Sequence, residues 1–227
     1  MKIKMTNNSP AEKSAGSTKL EAQKGLSLME MGIAATVLAA LILGVMMGIE
    51  KLNFDRKMSE VRKQVPVTIS AAVDAFSTQP STAILGSTLA GTKIMSSFNV
   101  WPANRIKDKG LDTVEVIGSF TGSREYMVTN YSTAAPRLRL ANQGIAYWIT
   151  NIPADACMPI LQTLIAHSSV ASIHVAEATI TPGGTTTGST GVGTYTNNAA
   201  LTLNMVTATA ACSTPGNKSL LALLSRT

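Results

Sequence analysis

The chain has 227 residues, of which 45% are hydrophobic and only 4% aromatic, with a formal net charge of +6. The charge is uneven: residues 1–25 hold five Lys and two Glu, and residues 26–227 hold 14 Lys or Arg and 11 Asp or Glu, so each part carries +3. No Lys/Arg stripe with interleaved aromatics is present, which argues against a nucleic-acid surface, and the two Cys and two His lack the spacing of a metal site.

Residues 1–25 are polar, with Asn, Ser, Pro and Lys but no apolar run, in the manner of a tail without a core. From Met31 to Ile49 the chain reads MGIAATVLAALILGVMMGI, with Thr36 as its one polar side chain. As a helix rising about 1.5 Å per residue, the run from Leu26 is long enough to cross a hydrocarbon layer about 30 Å thick. A cleavable secretory signal would have a shorter apolar core and a small-residue cleavage site. A plain membrane anchor accounts for the length but not for Glu30. A carboxylate in such a segment costs about 2.5–3.5 kcal/mol on insertion scales and marks a functional candidate. A second reading places Glu30 at the lipid headgroup level.

The helix is expected to continue. Phe54, Met58, Val61, Val65, Ile69, Val73 and Phe76 recur at three- and four-residue steps and make one apolar stripe. Lys51/Asp55 and Arg56/Glu60 stand at i, i+4 on other faces. Pro66 lies inside the stripe, which keeps its phase, so a kink is expected there rather than an end. The helix should stop near residues 77–80. Its first half is apolar all round and its second half on one side, so the two halves need different surroundings.

Residues 79–227 read as an α+β head. Strand character appears near 92–98, 113–118, 125–129, 137–140 and 145–150, separated by turn residues such as Thr121-Gly122. Asp155 is expected to N-cap a helix to about His167, with Pro159 in its first turn. Residues 181–198 are Gly/Thr-rich and read as an exposed loop or loose hairpin, and residues 200–207 as a strand. Cys157 and Cys212 suggest one disulfide in an exported chain, or two inert thiols in a cytosolic one. Trp101 and Trp148 read as core anchors, and His167 and His174 as ordinary surface or core residues. No nucleophile elbow, phosphate-binding loop or zinc motif is present, so no catalytic residue, metal or cofactor is assigned and the chain is not read as an enzyme.

The string Lys24-Gly25-Leu26-Ser27-Leu28-Met29-Glu30, running directly into the apolar helix, resembles the class III signal of type IV prepilins. The resemblance implies cleavage between Gly25 and Leu26 by a prepilin peptidase, N-methylation of Leu26, and a role for Glu30 in assembly and register. In chemical terms, cleavage exposes an amine one helical turn from Glu30. A carboxylate of one copy could meet the terminal amine of the next, and mispairing would leave a buried charge costing several kcal/mol. The leader of 25 residues, Leu26 in place of Phe, and the 202-residue mature chain are similar to the type IVb branch. Tyr147–Pro153 leading into Cys157 is similar to the PilS group of conjugative-plasmid and enteric type IVb pilins. The family implies a leader at 1–25, an N-terminal helix at 26–78 (26–50 spanning the membrane or forming the fibre core, 51–78 amphipathic), and a head at 79–227 in which the helix packs on an antiparallel sheet. It also implies a Cys157–Cys212 disulfide. The expected function is that of a major pilin in an extracellular filament for adhesion, aggregation or conjugative mating-pair formation, reached from the inner membrane. The implied partners are further copies, the peptidase, the assembly platform and its ATPase, with a minor pilin or adhesin as an open option. A minor pilin or type II secretion pseudopilin is the first alternative, and a membrane-anchored enzyme or binding domain the second.

Overall fold

A computed structural model describes residues 28–78, 88–108, 114–131, 144–177, 189–194 and 201–225. Gly25, Leu26 and residues 137–140 lie outside the described residues, as do 181–188 and 195–198 of the Gly/Thr-rich stretch. The chain divides into two units, Met1–Ile49 and Glu50–Thr227, with the boundary inside helix α1 (Leu28–Thr78).

In the first unit every described side chain of α1, from Met29 to Ile49, is exposed. By length and composition this helix can cross a membrane.

In the second unit α1 supplies its stripe. Met58, Val61, Val65, Ile69, Val73 and Phe76 are all buried and Phe54 is partly buried, while Ala72 and Thr68 widen the buried face. The helix runs on through Pro66 and ends at Thr78. Pro66 has no N–H for the Arg62 carbonyl, yet the phase of the stripe is kept. Glu60 accepts a hydrogen bond from Gln64 Nε2 at 2.8 Å, another i, i+4 contact beside the expected charge pairs.

After α1 come α2 (Thr88–Ser97), a single 3-10 turn (Ala103–Arg105), and the strands β1 (Ile106–Asp108), β2 (Val114–Ile117), β3 (Arg124–Tyr131) and β4 (Gly144–Ile152). Then follow α3 (Ala154–Ile165), β5 (Val170–Glu177), β6 (Ser189–Thr194), β7 (Thr202–Leu203), α4 (Met205–Ser213) and β8 (Lys218–Ser225). Among the described residues the strands form one sheet in the order β1-β2-β3-β4-β8-β5-β6-β7, with every pairing antiparallel. The last strand, β8, lies in the middle and is buried along its whole length. The architecture is therefore α+β, with a long N-terminal helix and an antiparallel sheet.

Alternation along the strands separates two apolar clusters. One joins the α1 stripe to Met127, Tyr147, Ile149, Leu220, Ala222, Ile173 and Val175. The other holds Val128, Ala146, Trp148, Leu221 and Leu223, the intervening positions on β3, β4 and β8.

Three local expectations need correction. Residues 92–97 belong to α2 and Phe98 to the turn after it, rather than to a strand, because Thr92 and Met95 turn inward at i, i+3 spacing. Thr92 Oγ1 also accepts the Met127 N–H at 3.0 Å, which fixes α2 on β3. Of residues 201–207 only Thr202–Leu203 form a strand, and residue 200 lies outside the described residues. Asn204 then caps α4, its side chain accepting from the Thr207 N–H at 3.1 Å, and this cap overrides the apolar alternation. Asp155 does not cap α3. Pro153 holds that position, Asp155 sits in the first turn where the helix dipole favours an acid, and Pro159 lies in the helix interior. Residues 189–194 of the Gly/Thr-rich stretch form β6, paired with β5.

Ile69 is fully buried on the α1 stripe. Ile69→Ala should destabilise the chain by about 2–5 kcal/mol, read as a lower urea midpoint for full-length protein in detergent.

Candidate functional site

The first feature is the apolar half-helix. Leu38, Leu41, Val45, Met46 and Met47 are each more than half exposed. Gly32, Thr36, Ala40, Gly44 and Gly48 recur every four residues, in a row that winds slowly round the helix. No group comes within 4 Å of a Cβ placed at Gly32, Gly44 or Gly48. Small residues at this spacing let apolar helices approach closely. Thr36 turns its hydroxyl back to the Ile33 carbonyl at 2.8 Å, so its donor is satisfied within the helix. Glu30 lies in the first turn of α1 and is exposed.

The second feature ties α1 to the sheet through buried charge. Glu125, on β3, is buried and turned toward the helix side. Its Oε2 accepts from Trp101 Nε1 and from the Tyr147 hydroxyl, both at 2.8 Å. Its Oε1 is paired with Arg105 Nη2. Arg105 Nε donates to the Ile117 carbonyl at 2.8 Å, and Nη1 donates to Gln64 Oε1, on α1, at 2.6 Å. One carboxylate thus gathers two strands, the 3-10 turn and the segment before it, and its guanidinium partner reaches the helix. Burial raises the Tyr147 hydroxyl well above the ordinary tyrosine range. The Glu125 charge and hydrogen bond add to this and Arg105 opposes it. Tyr147 therefore remains a donor. A buried acid with three donors and a guanidinium that also finds a carbonyl and an amide is a satisfied network. Trp101 and Trp148 are both fully buried, and Trp101 has a polar duty besides its bulk. Sequence reasoning missed this network. Its one visible signal was Glu125 and Arg105 beside strand-like segments, and nothing in the chain order pairs them.

Cys157 on α3 and Cys212 on α4 are buried and joined as a disulfide, with their Cα atoms 5.6 Å apart and a sequence separation of 55. A loop of that length is worth about 4 kcal/mol in the chain-entropy account. At the β2–β3 turn, Gly122 has φ +79°, and a Cβ there would stand 2.6 Å from Asn151 Nδ2. Asn151 itself has φ +57° and accepts from Asn217 Nδ2 at 2.6 Å.

His167 and His174 do not share a helix, since α3 ends at Ile165 and His174 is on β5. His167 lies against Ser70 of α1, Nε2 to Oγ at 3.0 Å, and its Nδ1 accepts the Ser169 N–H. That acceptance requires the neutral ring with its proton on Nε2. Among the described residues no cluster of three His, Cys, Asp or Glu could hold a metal.

No family model matches the chain, and no curated protein does. Among solved structures the chain is similar to TcpA, a type IV pilin from Vibrio cholerae El Tor biotype, with 10% identity and a TM-score of 0.45, covering 73% of this chain and 99% of that one.

Arg105→Ala would strand the Glu125 carboxylate in the core, at a cost of about 3–5 kcal/mol. The Arg105→Met/Glu125→Leu pair should lose less than the single change, measured by urea melts of the two side by side. The pH response has a definite sign. Burial lowers the pKa of both His167 and His174 below the ordinary value. The folded chain then binds fewer protons than the unfolded one, so stability is full above about pH 6.5 and falls as the pH drops through the interval beneath it. Thermal midpoints across that interval should fall, and less steeply in His167→Asn.

Proposed function

We propose that the chain is the precursor of a type IV pilin that polymerises into an extracellular filament after loss of residues 1–25. The observation that carries the reading is a pair. The string Lys24-Gly25-Leu26 to Glu30 resembles a prepilin signal, and the α1 segment that follows it exposes apolar side chains on every face in a single copy. Such a surface needs lipid at one stage and other helices at another. The small-residue edge from Gly32 to Gly48 suits close packing of neighbouring helices. The second half of α1 is anchored differently, by its buried stripe, so a head can be carried on a helix whose apolar half remains available.

On this reading Glu30 sets register by meeting the Leu26 amine of another copy, and Pro66 bends α1. The inner membrane holds the precursor, a prepilin peptidase cuts it, Leu26 is N-methylated, and an assembly platform with its ATPase extends the fibre. The long leader, Leu26 and the Tyr147–Pro153 segment favour the type IVb branch, of the PilS group, in the role of major subunit and with mating-pair formation as one use. A minor pilin or secretion pseudopilin would share the processing and differ in abundance.

Mass spectrometry of the surface-exposed form should find an N-terminus at Leu26 heavier by one methyl group. An intact Met1 terminus on that form would overturn the reading. Glu30→Ala should enter the membrane at normal levels and give no sheared fibres. Normal fibres from that variant would remove the register role.

A further inference from the structure

Between Asp155 and Lys218 the chain carries one Asp, Glu, Lys or Arg, namely Glu177, and residues 178–217 carry none. Glu177, the last charge before this charge-free stretch, and Lys218, the first after it, are Cα partners on adjacent strands β5 and β8. The two charges that bound the stretch thus stand side by side in the sheet. Lys218 is itself buried, with Nζ donating to Thr214 Oγ1. His174, beside Gly191 of β6, is held toward its neutral form by burial.

α4 lies in this stretch and its orientation is fixed. Ala208 and Cys212 face inward, Cys212 through the bond to Cys157. Val206, Thr209, Ala210 and Ser213 face outward, and Met205 is exposed beside them. Val206 is 82% exposed, the most of any large apolar side chain described. The outer face is thus neutral and small, with two apolar residues at its start.

We propose that this face of α4 is where the head of one copy meets another copy. The choice of a second copy rests on charge. Residues 26–227 carry 14 basic and 11 acidic side chains, a net +3, so two copies that meet through charged surfaces bring like net charge together. The α4 face has no charge to oppose and no complement to offer an oppositely charged partner, which would be steered to a charged face instead. Thr and Ala on the outer side allow close approach, and Val206 with Met205 supplies the apolar anchor. The proposal rests on the filament reading for its setting, since copies brought together by their α1 segments stand at high local concentration.

The test uses the full chain in cells that assemble it, with a photo-crosslinking residue placed at Val206 or Ala210 and, as a control, at Arg56. An adduct of twice the subunit mass at 206 and 210 but not at 56 is expected. An adduct with another protein, or none, in cells that still make fibres would overturn the α4 contact and leave the filament reading standing. Unprocessed chain without fibres would sink the filament reading instead. Cross-linking from 210 should fall about tenfold or more in both Val206→Lys and Val206→Glu, because either change places an unpaired charge in a neutral contact. Undiminished cross-linking in either variant, with the chain processed and disulfide-bonded, would also count against the contact.

Discussion

The burial of the α1 stripe is the constraint on which the second unit depends. Met58 to Phe76 present an apolar edge that recurs at helical spacing, and the inward-facing positions of β3, β4, β8 and β5 present a matching surface. Neither can be left in water at about 25 cal/mol per Å² of apolar area. A helix that continued with the composition of residues 31–49 would offer no single face to bury. A sheet without the helix would leave Met127, Tyr147 and Ile149 uncovered.

Apolar contact sets which face of the helix turns inward, but by itself it discriminates less against a slide by one turn. The Glu125 network narrows that choice. Arg105 reaches Gln64 at one position on α1, while its other contacts are to Glu125 and the Ile117 carbonyl. Any shift of α1 that takes Gln64 away leaves a buried guanidinium group one acceptor short. The network is a device for specificity laid over a core that supplies the stability. The disulfide does comparable work for the other end of the unit, holding α4 to α3.

The two halves of α1 show how one helix serves two roles. The first half is apolar all round, and its described side chains are exposed. The second half is amphipathic, and its polar side carries Lys51, Asp55, Arg56 and Lys63 in the exposed class. The change occurs over a few residues near Glu50, where the chain divides.

Much of this was legible from local pattern. Helical periodicity gave α1 with its end near Thr78, its buried stripe, and the separation of an all-round apolar half from a one-sided half. Short apolar stretches between turn residues gave β2, β3 and β4. Short apolar runs were misread where a cap or a sheet contact decided the matter, as at Thr92 and Asn204, because periodicity over a few residues fits helix and strand alike. Residue order fixes which side chains share a face of one element, since that depends on backbone geometry alone. Only the tertiary structure decided which faces meet. That Glu125 would lie under Trp101, Arg105 and Tyr147, that Glu177 would stand opposite Lys218, and that the C-terminal strand would occupy the centre of the sheet all follow from pairings between distant segments. Those pairings depend on the free energy of the whole packed arrangement, which no local stretch of chain contains.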